Sequence, residues 1–172
     1  MLNDKIAKLI NEQVNKELYS GYLYMDFANY YADAGLDGFA NWYEVQAREE
    51  CDHALMMRRY LIDNGFKVVF DKIAKPDKKF ADNVAPLKAG LEHEQYVTSL
   101  INNIYMEAFN LKDFKTMQFL DWFIKEQGEE EKNAEDLLKK MEVFGKESKG
   151  LYALNQELAA RTYAPSTTGP AM

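Results

Sequence analysis

Four acids and two helical pairs carry the chemistry of this chain. The acids are Glu17, Glu50, Glu94 and Glu130, and the pairs are Glu50-x-x-His53 and Gln127-x-x-Glu130. Glu17 and Glu50 lie 33 residues apart, as do Glu94 and Gln127, and the step from Glu17 to Glu94 is 77, as is that from Glu50 to Gln127. The pattern reads as two related hairpins, each giving one group from its first helix and an i, i+3 pair from its second. Side chains three apart on a helix sit one turn apart on one face, so both can reach one ion. Four inward carboxylates carry a charge of −4 if ionised. Burying such groups without partners is very costly, and they normally pair, bind metal or take up protons. Two divalent cations would balance them. Carboxylates with one imidazole are hard-to-borderline donors, which suits iron or manganese over thiol-preferring ions, with zinc also able to bind.

Four long helices are expected to place these groups. Residues 5–33 contain one glycine and no proline, and residues 39–64 contain neither. Gly35 and Gly38 mark a break, and Gly65 a helix stop. Residues 66–82 are extended in character and hold Pro76. Asn83 is the expected cap of a third helix with Pro86 in its first turn, running to about Leu111. Asp113 is the expected cap of a fourth helix, which ends before Gly145; Ser148 is the expected cap of a short fifth that fades near Arg161. At ~1.5 Å per residue the long helices span ~40–46 Å. Tight turns make two antiparallel hairpins, and the long 66–82 segment can cross the length of a bundle. The expected fold class is therefore all-α, a four-helix bundle with one long crossover between helices 2 and 3 and a short fifth helix. On each long helix the apolar stripe is interrupted near its middle: by Gln13 and Glu17, by Gln46, Glu50 and His53, by Glu94, and by Gln127 and Glu130. No lysine or arginine falls in any of the four stripes.

Composition narrows the classes. The chain has 172 residues, 47% apolar and 13% aromatic, enough for one domain with a sizeable core. Its net charge of −7 and pI near 5.0 argue against a nucleic-acid partner and fit a surface that attracts cations. The single cysteine, Cys51, rules out an internal disulfide or a CxxC metal knuckle. No leader and no membrane span are expected, so the cytoplasm is the expected compartment.

The stretches NEQVNKELYSGYLYMDFA, REECDHALMMRRYL, EHEQ, FLDWFIKEQGEEEKNAEDLL and GLYALNQEL resemble the bacterial non-haem ferritins, and the likeness covers nearly all of the chain. The resemblance implies an iron-storage ferroxidase. Its subunits would form a hollow 24-mer shell, oxidise Fe(II) with O2 or H2O2 and store ferric mineral inside. One iron would use Glu17, Glu50 and His53, and the other Glu50, Glu94 and Glu130, with Glu50 shared. Gln127 lies beside the centre, as a metal ligand or a hydrogen-bond partner to bound oxygen species, and Tyr24 matches the family's tyrosine near it. Seven residues after Glu17 on the same face, that phenol is placed to donate a hydrogen bond or an electron. A possible third iron site would use Glu49, Glu126 and Glu129. Residues 1–161 would form the domain and 162–172 a flexible tail.

Departures from related patterns add detail. Bacterioferritins carry a second Glu-x-x-His where this chain has Gln127-x-x-Glu130, and Asp52 stands in place of their haem-ligating methionine, so no haem is expected. The positions that match the acidic pore linings of animal ferritins are Met117 and Leu120. Two rival readings are a di-iron enzyme acting on an organic substrate, which needs a substrate pocket, and a metal-free bundle whose acids are protonated or face water.

Overall fold

Helix formation follows the glycine and proline punctuation closely. The computed structural model describes residues 2–165. It contains α1 (Asp4–Asp33), α2 (Asp37–Asp63), α3 (Ala85–Asn110), α4 (Phe114–Phe144) and α5 (Ser148–Ala159), with no strand among the described residues. Asn3 caps α1 by accepting from the Lys5 N–H, and Asp113 caps α4 by accepting from Thr116. Gly35 and Gly65 take φ of 71° and 77°, the left-handed conformation that ends a helix and that glycine adopts without a Cβ penalty. α1 packs against α2 and α3 against α4 as two antiparallel hairpins. α1 also touches α3, while α5 lies against α2 and α4. The architecture is the expected all-α bundle with one long crossover and a short fifth helix.

Two caps differ from expectation. Ser148 is the first residue of α5, and Glu147 holds its cap position. Asn83 does not cap α3. Asp82 does that work, accepting at 2.9 Å from both the Val84 and Ala85 N–H groups. Asn83 instead accepts hydrogen bonds from Tyr30 and Tyr31 of α1, through its side chain and its carbonyl respectively. The tyrosines tie the end of the crossover to α1, a contact set by tertiary packing and invisible to local spacing. Further back, Asn11 exchanges two hydrogen bonds with the backbone of Val69, and Asn15 donates to the carbonyl of Lys72. One turn apart on α1, the two asparagines fasten the crossover along the bundle.

α2 has no capping side chain of its own. Its first N–H groups are satisfied from α5, where Asn155 Oδ1 accepts from Gly38 at 2.8 Å and Phe39 at 3.3 Å. A Cβ at Gly38 would sit 1.7 Å from the Asn155 carbonyl, so only glycine permits this approach.

The core divides into two apolar clusters. One holds Ile6, Ile10, Val14, Met57, Leu61, Ile101, Leu120 and Phe123 among others. The second holds Leu23, Phe27, Tyr31, Phe39, Leu87, Leu137, Met141, Leu154 and Leu158 among others. Each such side chain contributes ~1.5–3 kcal/mol by leaving water. The middles of all four long helices lie between the clusters. Leu120 is fully buried and Met117 packs against the first cluster, so neither lines an open pore within the subunit.

Candidate metal centre

The layer between the apolar clusters is polar. α1 contributes Gln13, Glu17 and Ser20, α2 Gln46, Glu50 and His53, α3 Glu94, and α4 Gln127 and Glu130; all are buried. The flanking turns force this. Val14 and Leu23 fix the face of α1 turned inward, Ala47 and Ala54 that of α2, Val97 that of α3, and Phe123 and Leu137 that of α4. Residues three and four away on the same helices must point the same way.

Ligand atoms of Glu17, Glu50 and His53 lie within 4.8 Å of one another, and so do those of His53, Glu126 and Glu130. His53 belongs to both groups. Its Nδ1 is 3.6 Å from Glu50 Oε2, and Trp122 and Phe123 meet its ring edge-on. Glu94 accepts a hydrogen bond from the Tyr24 hydroxyl. Gln127 Nε2 donates to the Glu94 carboxylate at 3.2 Å and also reaches its backbone carbonyl and Thr98. The predicted Gln127 and Tyr24 therefore both attach to Glu94. Tyr24 is enclosed by Phe27, Tyr43 and His93.

Burial dominates the electrostatics. It pushes the Glu17, Glu50 and Glu130 carboxyls well above their usual range; the charge of Glu50 adds to this at Glu17, that of Glu94 at Glu50, and both at Glu130. Glu94 is raised by burial too, and its hydrogen bonds from Tyr24 and Gln127 work against that rise. The Tyr24 phenol is raised far above its normal value by burial and by Glu94, so it holds its proton. Without a cation the acids are driven to bind protons. A cation entering among them replaces those protons.

The arrangement fits a metal on a separate ground. Among the described residues, Glu17 Oε2 and His53 Nε2 are fully buried with no hydrogen-bond partner. Buried polar atoms are rarely left so, and each such gap calls for a partner from outside the chain. Carboxylate and imidazole donors left open in one buried layer suit a divalent cation.

The three acids of the possible third site have different partners, although burial and then Glu126 raise the pKa of Glu49, and burial and then Glu129 raise that of Glu126. Glu126 stands with His53 and Glu130. Glu49 is ion-paired with Arg161 at 2.5 Å, and Glu129 is drawn to Lys125 at 3.2 Å with its side chain 58% exposed.

Several partners escape a reading by motif. Gln13 donates to Glu17 at 2.8 Å, and Gln46 donates to Glu50 at 3.2 Å and to Glu130 at 2.6 Å. A signal for both exists: Gln13 precedes Glu17 by four residues and Gln46 precedes Glu50 by four, so the pair repeats with the 33-residue step. Arg161 and His93 carried no such signal. Arg161 sits at the faded end of α5. His93 meets Ser20 Oγ at 2.8 Å, and burial together with Lys78 and Lys16 lowers its pKa to about 4.

Space at the centre is small. A cavity of about 20 Å³ touches Tyr24, Gln46, Glu94 and Glu130, room for one water-sized group. Larger cavities of about 650 and 280 Å³ are lined by none of Glu17, Glu50, Glu94 or Glu130.

Comparison with known proteins agrees with this fold. The ferritin family model, described as a ferritin-like domain, matches residues 7–144. A bacterial non-heme ferritin of Staphylococcus saprophyticus is 37% identical over 166 residues, 96% of this chain and 99% of that protein. The bacterial non-heme ferritin of Campylobacter jejuni is 33% identical over 156 residues, 91% of this chain and 93% of that protein. A solved structure titled a humanized archaeal ferritin superposes with a TM-score of 0.94 at 36% identity, covering 96% of this chain and all of that one. With the helices, the buried acids and these relatives in agreement, the chain belongs to the ferritin family.

Proposed function

We propose that this protein stores iron, oxidising Fe(II) at a two-iron centre inside each subunit and holding the ferric product as oxyhydroxide mineral in a hollow 24-subunit shell in the cytoplasm. The observations that carry the reading are the burial of Glu17, Glu50, His53, Glu94 and Glu130 and the approach of Glu17, Glu50 and His53 donor atoms to within 4.8 Å, with two donor atoms left open. One Fe(II) would be held by Glu17, Glu50 and His53, the other by Glu50, Glu94 and Glu130. Each Fe(II) gives up one electron. The two electrons and two protons convert O2 to H2O2, or H2O2 to two waters. The protein's part is to hold both substrate ions close and oriented, with room for a small oxidant. The 20 Å³ space beside Glu94 and Glu130 suits such an oxidant and no organic substrate.

Gln13, Gln46 and Gln127 keep the carboxylates aimed by donating to them. Tyr24 orients Glu94 and is a group able to give a further electron. Oxygen-rich ligation with one imidazole lets the ferric product leave and hydrolyse to mineral, releasing protons. Glu126, with Glu49 and Glu129 around it, is the place for a third iron in transit.

The test adds Fe(II) in air and follows ferric absorbance alongside particle mass. Rapid oxidation followed by growth of a dense core inside a shell of constant protein mass is expected. Absence of any rate increase over free Fe(II), or a discrete monomer or dimer that gains no mass, overturns the reading.

A further inference from the structure

We propose that Arg161 is a positioning residue for the iron centre. Through Gln46 it aims a donor at Glu50 and Glu130, and by pairing with Glu49 it confines tight metal binding to the two-iron pair. The inference rests on the reading above.

Arg161 follows α5 and is held at both ends. Its carbonyl accepts from Asn41 Nδ2 at 2.9 Å, and the same amide reaches the Leu158 carbonyl at 3.2 Å. Its guanidinium lies 4.1 Å from the centre of the Trp42 ring and donates to the Trp42 carbonyl at 3.2 Å. The side chain is 17% exposed. From there, both terminal nitrogens donate to Gln46 Oε1, each at 3.0 Å, and one also pairs with Glu49.

The fork on Gln46 has a direct consequence. An amide has one acceptor end and one donor end. With Oε1 taken by two N–H groups, Nε2 must face the opposite way, where it meets Glu130 at 2.6 Å and Glu50 at 3.2 Å. Without Arg161 the amide is free to turn its carbonyl toward the same carboxylates, where it repels them. Partners that orient metal ligands typically change affinity by ~10–100-fold when removed.

The pair with Glu49 acts on the second point. Glu49 is one of the acids that a third iron would need, and here a permanent cation holds it. Arginine does not give up its proton. A metal ion at Glu49 must therefore displace the guanidinium or sit beside it, and both oppose tight binding. The end of α5 is thereby wired to the centre through Arg161 and Gln46.

The assembled, metal-free shell is titrated anaerobically with Co(II), following the visible spectrum and the heat. The wild type is expected to take two tight ions per subunit. Arg161→Gln is expected to bind that pair about 10-fold more weakly and to gain a third saturable ion. Arg161→Lys keeps a positive charge near Glu49 but lacks the fork, so it is expected to stay at two ions and to recover only part of the affinity. If Arg161→Gln does not assemble, Arg161→Lys and Glu49→Gln decide: weakened binding at unchanged stoichiometry in the lysine variant supports the proposal, and wild-type affinity there contradicts it. Glu49→Gln is expected to keep the pair intact and add no third ion. Two tight ions in the wild type, lost in His53→Ala but unchanged in number and affinity in Arg161→Gln, overturn the role of Arg161 and leave the two-iron reading standing. No tight ions in the wild type end both.

Discussion

His53 belongs to both groups of close donor atoms, and its Nε2 is buried without a partner. Replacing it by alanine removes the proposed ligand, together with the ring that Trp122 and Phe123 pack against. Rapid Fe(II) oxidation in His53→Ala is expected to slow by at least ~10-fold, the loss seen even for residues that only orient a ligand, with the shell intact. Stopped-flow absorbance and native mass measurement check this; wild-type rates in an assembled variant contradict the assignment. The acids make a second prediction. Glu17, Glu50 and Glu130 have folded-state pKa values raised by burial. A raised carboxyl contributes stability that is fully present below its unfolded value, near 4.5, and lost as pH rises through the folded value. The metal-free protein should therefore melt at lower temperature as pH rises from 4.5 toward neutrality. A divalent cation favours the ionised acids and should oppose that fall. A melting curve that rises over the same range without metal contradicts the burial of these charges.

At the scale of elements, α2 depends on α5. Asn155→Ala removes the acceptor for two N–H groups of α2, and a lost cap of this kind costs ~1 kcal/mol. Gly38→Ala forces a methyl group onto the Asn155 carbonyl. Overpacking of that sort costs ~1–3 kcal/mol, so it should destabilise more than Asn155→Ala. Thermal melting of the two metal-free variants gives the order. The four long helices, their turns and the inward acids were all legible in sequence, because glycine, proline and a 3.6-residue period act locally. Gln13 and Gln46 were half legible: their place on the inward stripe was plain, their bonds to Glu17 and Glu50 were not. What escaped depends on distant approach. Asn83 has cap chemistry but is engaged by tyrosines of α1. Arg161 sits at the faded end of α5, and only the folding of α5 onto α2 brings it to Gln46 and Glu49. Beyond it, Tyr163 belongs to the segment expected to be flexible, yet its hydroxyl bonds Asp52 at 2.7 Å. Residues 166–172 of that segment lie outside the described residues.

For the whole molecule, each subunit of 19.9 kDa carries a charge of −7. A shell of 24 such subunits has a mass of roughly 480 kDa, a value that sedimentation can test directly. No described helix is long and apolar enough to cross a membrane. Exposed apolar groups such as Tyr22, Met25, Leu55 and Ile62 lie on α1 and α2 and are available to subunit contacts. The negative charge also attracts Fe(II). At limiting iron the initial oxidation rate is expected to fall as salt is raised from 0.01 to 0.15 M, when the screening length shrinks from about 30 to 8 Å. The most direct test of the central claim is anaerobic Fe(II) calorimetry of the metal-free shell in buffers of different ionisation enthalpy. Two ions bound per subunit with release of protons is the predicted result, since burial favours the protonated acids and the ions take the place of those protons. Absence of saturable binding, or binding without proton release, contradicts it.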